Sequence, residues 1–413
     1  MLFLKNIDSV GLRVFTYNIS LPTKTKKHVS RLLFNVITYL RLVDWILEKL
    51  DIPCDIDKNL LRILIYRVAI EKNSEFLNRI KKIKCLDLED LATKTHDILQ
   101  NLRKISPIRR LSLKYSYPIF FVRRLSKVIN IDHLEKLLAT MNSRLPYTWL
   151  CVNTIKHERD HIVDILKDEG YSAEPDADFY DLIKVSDMPR RLEKSSVIRN
   201  NMAIIAEKAS VATTHAMEAK DGETILDMCA APGIKLICTA FKMSSGKIIA
   251  VDISRTRMRR LNKLVKRFNI DNISIKTLTM DSRDLPHVEL EPVDKILVDA
   301  ECSSTGLIPK APDIKLRITK ARINSLSILQ NSLLNSALIL GEKYCSKYVV
   351  YSVCSLLPEE AEYVILSIQK YHDYEVSNPA FGSAAYIPNT GRRYFPHEHK
   401  TIGFFISRFR KIK

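Results

Sequence analysis

Thr224-Ile-Leu-Asp-Met-Cys-Ala-Ala-Pro-Gly-Ile-Lys235 decides how the rest of the chain is read. Thr224–Met228 is apolar enough for a buried strand, and Lys235–Met243 has the pattern of a helix. Between them lie small residues and Gly233, which let a backbone approach a ligand closely, and a helix N-terminus favours an anionic group. Lys235 can meet a carboxylate. The stretch has no G-x-G-x-x-G, so a dinucleotide pyrophosphate is not the expected guest. It also lacks G-x-x-x-x-G-K-[ST], which excludes a P-loop ATPase.

Working outward, the same strand, turn and helix succession repeats. Lys247–Asp252 is a second strand, with a helix at Arg255–Phe268. Ser274–Met280, Lys295–Asp299 and Tyr348–Tyr351 are the third, fourth and fifth, and Gly403–Phe409 is a closing strand. Such alternation predicts a Rossmann-like α/β fold with a doubly wound, mostly parallel sheet. Ligands of these sheets sit beyond the carboxyl ends of the strands. Asp252 stands there, about 20 residues after the first loop, where an acid can accept from ribose hydroxyls. Asp281 ends the third strand and can border an adenine. A nucleoside joined to a carboxylate describes S-adenosylmethionine. The plainer role for each acid is a cap on the next turn. In the second helix, Met258, Leu261, Leu264, Val265 and Phe268 share one face. Arg259, Arg260, Lys263, Lys266 and Arg267 share the other, as core-facing and solvent-facing sides would, with nucleic-acid contact as the secondary reading of the charged face.

The fourth strand runs into Asp299-Ala-Glu-Cys-Ser-Ser-Thr-Gly306, and the fifth into Ser352-Val-Cys-Ser355. Adjacent strand ends would set Asp299, Cys302 and Cys354 around one cleft. Methylation of carbon 5 of a pyrimidine needs such a set. That carbon is a poor nucleophile until a thiolate adds to carbon 6, and an acid near ring nitrogen 3 stabilises the charge that develops. A base then removes the carbon 5 proton and elimination frees the enzyme. The thiolate needs local positive potential to exist at neutral pH. The plainer role of a cysteine after a strand is a small core side chain. Spacing alone does not say which thiol attacks. Amino-group methyltransferases carry an Asp/Asn-Pro-Pro motif at strand four, which this chain lacks.

The chain has 413 residues, 46% hydrophobic and 27% charged, a soluble composition with room for two or three domains. Its net charge of +18 favours a polyanionic partner, nucleic acid first, against the alternative of a lysine-rich surface. No apolar run approaches membrane-spanning length, and Met1-Leu-Phe-Leu-Lys5 is too short for a signal peptide, so a cytoplasmic location is expected. The 8 cysteines include no C-x-x-C pair, so no metal site is expected and reduced thiols are. Only Gly11 precedes Gly170, a poverty that argues for helices. Leu32, Leu33, Val36, Ile37, Leu40, Val43, Ile46, Leu47 and Leu50 recur at helical spacing. A second helix carries Leu60, Leu61, Leu64, Ile65 and Val68, and further segments run through Leu77–Ile83, Leu88–Leu102 and Leu111–Val128. Three domains are expected: a helical bundle over 1–130, a small α/β connecting module over 131–205, and the catalytic domain over 206–413.

Asp227-Met-Cys-Ala-Ala-Pro-Gly233, Val251-Asp-Ile-Ser254, Asp299-Ala-x-Cys-Ser-x-Thr-Gly306, Pro312-Asp-Ile-Lys315 and Tyr351-Ser-x-Cys-Ser-Leu356, in that order, resemble the RNA cytosine-5 methyltransferases. That family holds bacterial Fmu (also called Sun or RsmB) and the eukaryotic NSUN enzymes. The likeness covers about residues 140–413. It implies that Cys229, Ala230, Ala231, Pro232, Gly233, Ile234, Lys235, Asp252, Arg257, Asp281 and Asp299 line an S-adenosylmethionine site. It implies Cys354 as nucleophile and Cys302 as the thiol assisting release. Tyr115-Ser-Tyr-Pro118 and Leu145-Pro-Tyr-Thr-Trp-Leu-Cys-Val-Asn153 are similar to the segment before the catalytic domain in the Fmu group, which makes the helical region resemble a NusB-like RNA-binding domain. The family has Gly where this chain has Ile234 and Pro where it has Glu301. The expectation is a monomeric enzyme without an obligate protein partner, acting on RNA, ribosomal first and transfer RNA as the alternative. A non-catalytic RNA-binding or ribosome assembly factor on the same fold is the competing class.

Overall fold

A computed structural model of the protein describes residues 22–52, 55–368 and 372–412. These form two units. One takes the chain up to Ser143 together with Leu307–Ile318; the other takes Arg144–Gly306 and Thr319–Lys413.

The first unit is helical. Thr23–Thr38 and Leu40–Leu47 bury Leu33, Val36, Ile37, Leu40, Val43 and Ile46, the stripe legible in the sequence, but the helix breaks at Tyr39. Lys58–Ile65 starts where the Asp57 carboxylate accepts from the Asn59 and Leu60 amides, and continues as a π-helix over Tyr66–Ile70. Leu77–Ile83 is helical only as far as Arg79. Ser74–Arg79 is helical, and Lys82–Ile83 pairs antiparallel with Leu86–Asp87 across a turn with Lys84 at φ 54°. Leu111–Val128 is likewise two helices, Pro107–Lys114 and Ile119–Leu125. Pro118 has no amide to continue the first, and Ser116 takes φ 61°. Ile131–Met141, expected to open the connecting module, groups with this unit.

Lys315 lies in this unit and is 1% exposed. Its ammonium donates to the Thr38 carbonyl at 3.0 Å, the Tyr115 carbonyl at 2.9 Å and Asn142 Oδ1 at 2.6 Å. The Tyr117 ring centroid is 3.9 Å away. Burial, with Arg41 adding repulsion, pulls its pKa well down.

The second unit holds two sheets. Strands β1 (Thr148–Val152), β2 (Ala173–Pro175), β3 (Leu182–Val185) and β4 (Ala203–Ile205) form an antiparallel sheet in the order β2-β3-β1-β4. The helix Arg159–Asp168 adds Ile162, Val163 and Leu166 to its core. The main sheet comprises β5 (Thr224–Asp227), β6 (Gly246–Val251), β7 (Ile273–Leu278), β8 (Lys295–Asp299), β9 (Tyr348–Val353), β10 (Tyr374–Val376), β11 (Ser383–Ala384), β12 (Arg392–Tyr394) and β13 (Phe404–Lys411). Its order is β11-β12-β13-β9-β8-β5-β6-β7, with β10 on β13. From β9 to β7 all pairs are parallel, while β13 returns antiparallel to β9. Leu226, Ile249, Val251, Ile296, Val298, Val349 and Tyr351 sit in the core, as strands covered on both faces require. This is the doubly wound fold expected.

Cys151, Cys229, Cys238, Cys302, Cys345 and Cys354 are free. Cys85 is in a disulfide, against the expectation of a fully reduced chain. The absence of C-x-x-C spacing says nothing of pairs that folding brings together.

Candidate active site

Parallel pairing of β8 with β9 puts Asp299 opposite Ser352, so Cys302 and Cys354 leave neighbouring strand ends together. Their sulfurs are 3.2 Å apart. The Ala300 amide bonds the Ser352 carbonyl at 3.1 Å, and the Gly306 amide bonds the Cys354 carbonyl at 2.9 Å. These contacts zip the two loops. Gly306 is required by a close crossing: a Cβ there would stand 1.7 Å from the Gly403 carbonyl oxygen.

Beneath the loops lies Glu360, fully buried. Its carboxylate accepts from the Ser303 amide at 2.7 Å, from the Ser303 hydroxyl at 2.5 Å and from the Ser355 hydroxyl at 2.5 Å. Two residues on, Glu362 makes a buried ion pair with Arg393 at 2.5 Å, and Arg393 also donates to the Ser355 carbonyl. A buried charge is tolerated only with such full satisfaction. None of this polar underlay was read from the sequence.

Asp299 bonds the Lys235 ammonium at 2.6 Å and the Ser352 hydroxyl at 2.8 Å. Burial pulls the Lys235 ammonium down, but the charge and hydrogen bond of Asp299, with Cys354 adding, outweigh it and hold it above its ordinary value. The three thiols nearby then differ. A hydrogen bond from Cys302 holds Cys354 below its ordinary pKa against burial and Asp299, with Ser304 and Lys235 helping. The same bond, then burial, pushes Cys302 well up. Burial first, and Asp227 next, pushes Cys229 well up as well. Of the three, only Cys354 is shifted toward the thiolate. Burial and the neighbouring Asp299 charge raise Asp227 to about 7.

Around this centre are two cavities. One of about 520 Å³ is lined by Cys229, Asp252, Arg257, Asp281, Asp299, Cys302 and Cys354 among others. The other, of about 250 Å³, is lined by Cys229, Ala230, Ala231, Pro232, Gly233, Ile234, Lys235 and Asp299, with Glu207 and Ser210. Every residue singled out in the sequence therefore borders one or the other. Gly233 sits at φ 107°, a left-handed conformation that disfavours any side chain, and begins the helix Ile234–Ala240.

The residues fit S-adenosylmethionine. Asp252 accepts from the Ala231 amide at 3.2 Å and the Ser254 amide at 2.9 Å, so it shapes the loop and caps. An ionised carboxylate has lone pairs left for two ribose hydroxyls. Asp281 caps the turn Ser282–His287, pairs with Arg283 at 2.6 Å and borders the larger cavity. Glu301 is exposed and borders the larger cavity. The carboxylate that acts on Cys302 is the buried Glu360, after the Cys354 hydrogen bond and burial.

Fold and site together define an S-adenosylmethionine-dependent methyltransferase. Residues 214–410 match the 16S rRNA methyltransferase RsmB/F family, and residues 117–189 match its RsmF/B-like ferredoxin-like domain. The chain is thus similar to that RsmB/F methyltransferase family over both matched segments. It is 27% identical over 406 residues to ribosomal RNA small subunit methyltransferase B of Photorhabdus laumondii, covering 95% of this chain and 92% of that one. It is 34% identical over 206 residues to the tRNA (cytosine(72)-C(5))-methyltransferase of Pyrococcus horikoshii, covering 49% and 51%. A crystal structure of a methyltransferase homolog protein from Pyrococcus horikoshii superposes with a TM-score of 0.65 at 27% identity, over 75% of this chain and 100% of that one. Among the described residues no helix is long and apolar enough to cross a membrane.

Proposed function

We propose that this protein methylates carbon 5 of a cytosine in RNA through a covalent bond from Cys354 to carbon 6. The observation that carries this is the thiol pair 3.2 Å apart, with Cys354 shifted down and Cys302 up. S-adenosylmethionine supplies the electrophilic methyl group. The Cys354 thiolate adds to carbon 6, and the electron pair displaced toward ring nitrogen 3 takes a proton supplied by the Lys235 ammonium through Asp299. Carbon 5 then attacks the sulfonium methyl, the sulfur–methyl bond breaks, and S-adenosylhomocysteine is the leaving group. Bond formation consumes the Cys354 charge, and with it the interaction that holds Cys302 protonated. Cys302 can then release its proton to water in the cavity it borders and take the one on carbon 5; that carbon–hydrogen pair reforms the carbon 5–carbon 6 double bond and expels Cys354 as the thiolate. Ribosomal RNA is the favoured substrate, because the relative named for it aligns along 95% of this chain. Transfer RNA is the alternative, from a relative aligned over 49%. The helical unit is assigned to RNA binding.

The test is transfer of labelled methyl from S-adenosylmethionine to unmodified total RNA, with the product mapped by bisulfite sequencing. Wild type should label cytosine, and Cys354→Ala should lose at least about 1,000-fold of the rate. No label in RNA from wild type would favour the non-catalytic binding protein. Label retained by Cys354→Ala would move the nucleophile elsewhere.

A further inference from the structure

The helix Arg255–Phe268 carries Arg255, Arg257, Arg259, Arg260, Lys263, Lys266 and Arg267 and no acid. Its buried side, Met258, Leu261 and Phe268, packs inward. Two of its cations have local work. Arg257 bonds the Ala231 carbonyl and lies 3.4 Å from Asp252. Arg267 bonds the Ile198 carbonyl and Asn201. Arg255, Arg259, Lys263 and Lys266 are all exposed. None of these four side chains has an ion pair or hydrogen bond with the described residues.

Their spacing is i, i+4, i+8 and i+11, which places them in one stripe about 17 Å long. Like charges at i,i+3 and i,i+4 destabilise a helix. An ordinary solvated face avoids this by mixing signs, as Leu88–Gln100 does with Glu89, Asp90, Lys94 and Asp97, where Asp90 and Lys94 pair at 2.7 Å. The stripe also starts beside the site. Ile253 and Arg257 line the 520 Å³ cavity that holds Cys354.

We infer that the exposed stripe Arg255, Arg259, Lys263 and Lys266 is a phosphate-binding ridge along which the RNA substrate lies as its target base enters the cleft. The inference rests on the RNA reading of the function and adds a docking surface to it. The backbone phosphates neutralise the stripe, which stands unopposed within the protein. Binding and helix stability then pull in opposite directions: removing the charges relieves repulsion and costs affinity.

The test is the variant Arg255→Gln/Arg259→Gln/Lys263→Gln/Lys266→Gln in the full chain. KM for RNA should rise at least tenfold at physiological salt, with kcat at saturating RNA retained. The slope of log affinity against log salt should shrink by about 3, for four lost single-strand phosphate contacts. The melting temperature should hold or rise. A companion variant, Arg255→Lys/Arg259→Lys, keeps the charge and should bind RNA as wild type does. An active wild type with a quadruple variant unchanged in KM and salt slope overturns the ridge alone. A wild type that neither binds nor methylates RNA overturns the function and the ridge with it.

Discussion

The loop after β8 and the loop after β9 deliver the same atom to the same contact and make opposite acids of it. Cys302, 6% exposed, is enclosed over Glu360 and keeps its proton. Cys354, partly open to the cavity, receives that hydrogen bond and faces the Lys235 ammonium. The shielded thiol is the first reason that the open one is the stronger acid. Sulfur chemistry here is set by depth and by neighbours, and the two roles come from one hydrogen bond seen from its two ends.

Cys302→Ala tests that pairing most severely. Turnover should fall at least about 100-fold, and RNA joined to protein should survive denaturing electrophoresis. The pH profile adds a second reading. The thiolate is the reactive form, so kcat/KM rises as pH passes the Cys354 pKa. Removing the donor raises that pKa, and the acid limb should move to higher pH. A limb that stays in place breaks the link between the thiols.

Glu360→Gln is the next largest. It removes a buried charge that receives three short hydrogen bonds, and should cost about 2 kcal/mol in urea unfolding. An equal loss in Glu301→Gln would erase the distinction between the two carboxylates. The exposed Glu301 should change stability by less than about 0.5 kcal/mol.

Much of this comparison was legible before folding. Lys295–Asp299 is the strand expected to the residue, because parallel strands buried on both faces read as unbroken apolar runs. The same runs fix which residues end up at the strand termini, so Asp299, Cys302 and Cys354 could be grouped. Glu360 was not legible. Pro358-Glu-Glu360-Ala-Glu362 reads as an acidic first turn, and only the fold carries Glu360 beneath Ser303, 57 positions earlier. The strands β10, β11 and β12 are two or three residues long, too short for a period to register. Tyr39 and Ser116 interrupt helices whose apolar spacing runs straight through them, since spacing records the face and not the breaks.

Lys315 has a consequence for how the molecule is made. The helical unit contains a plug, Leu307–Ile318, encoded far downstream of its helices. Until the ribosome has released that plug, the oxygens of Thr38, Tyr115 and Asn142 lack the ammonium they converge on. Vectorial synthesis therefore delivers the helices early and their keystone late, and an excised fragment ending at Ser143 would be a vault without it.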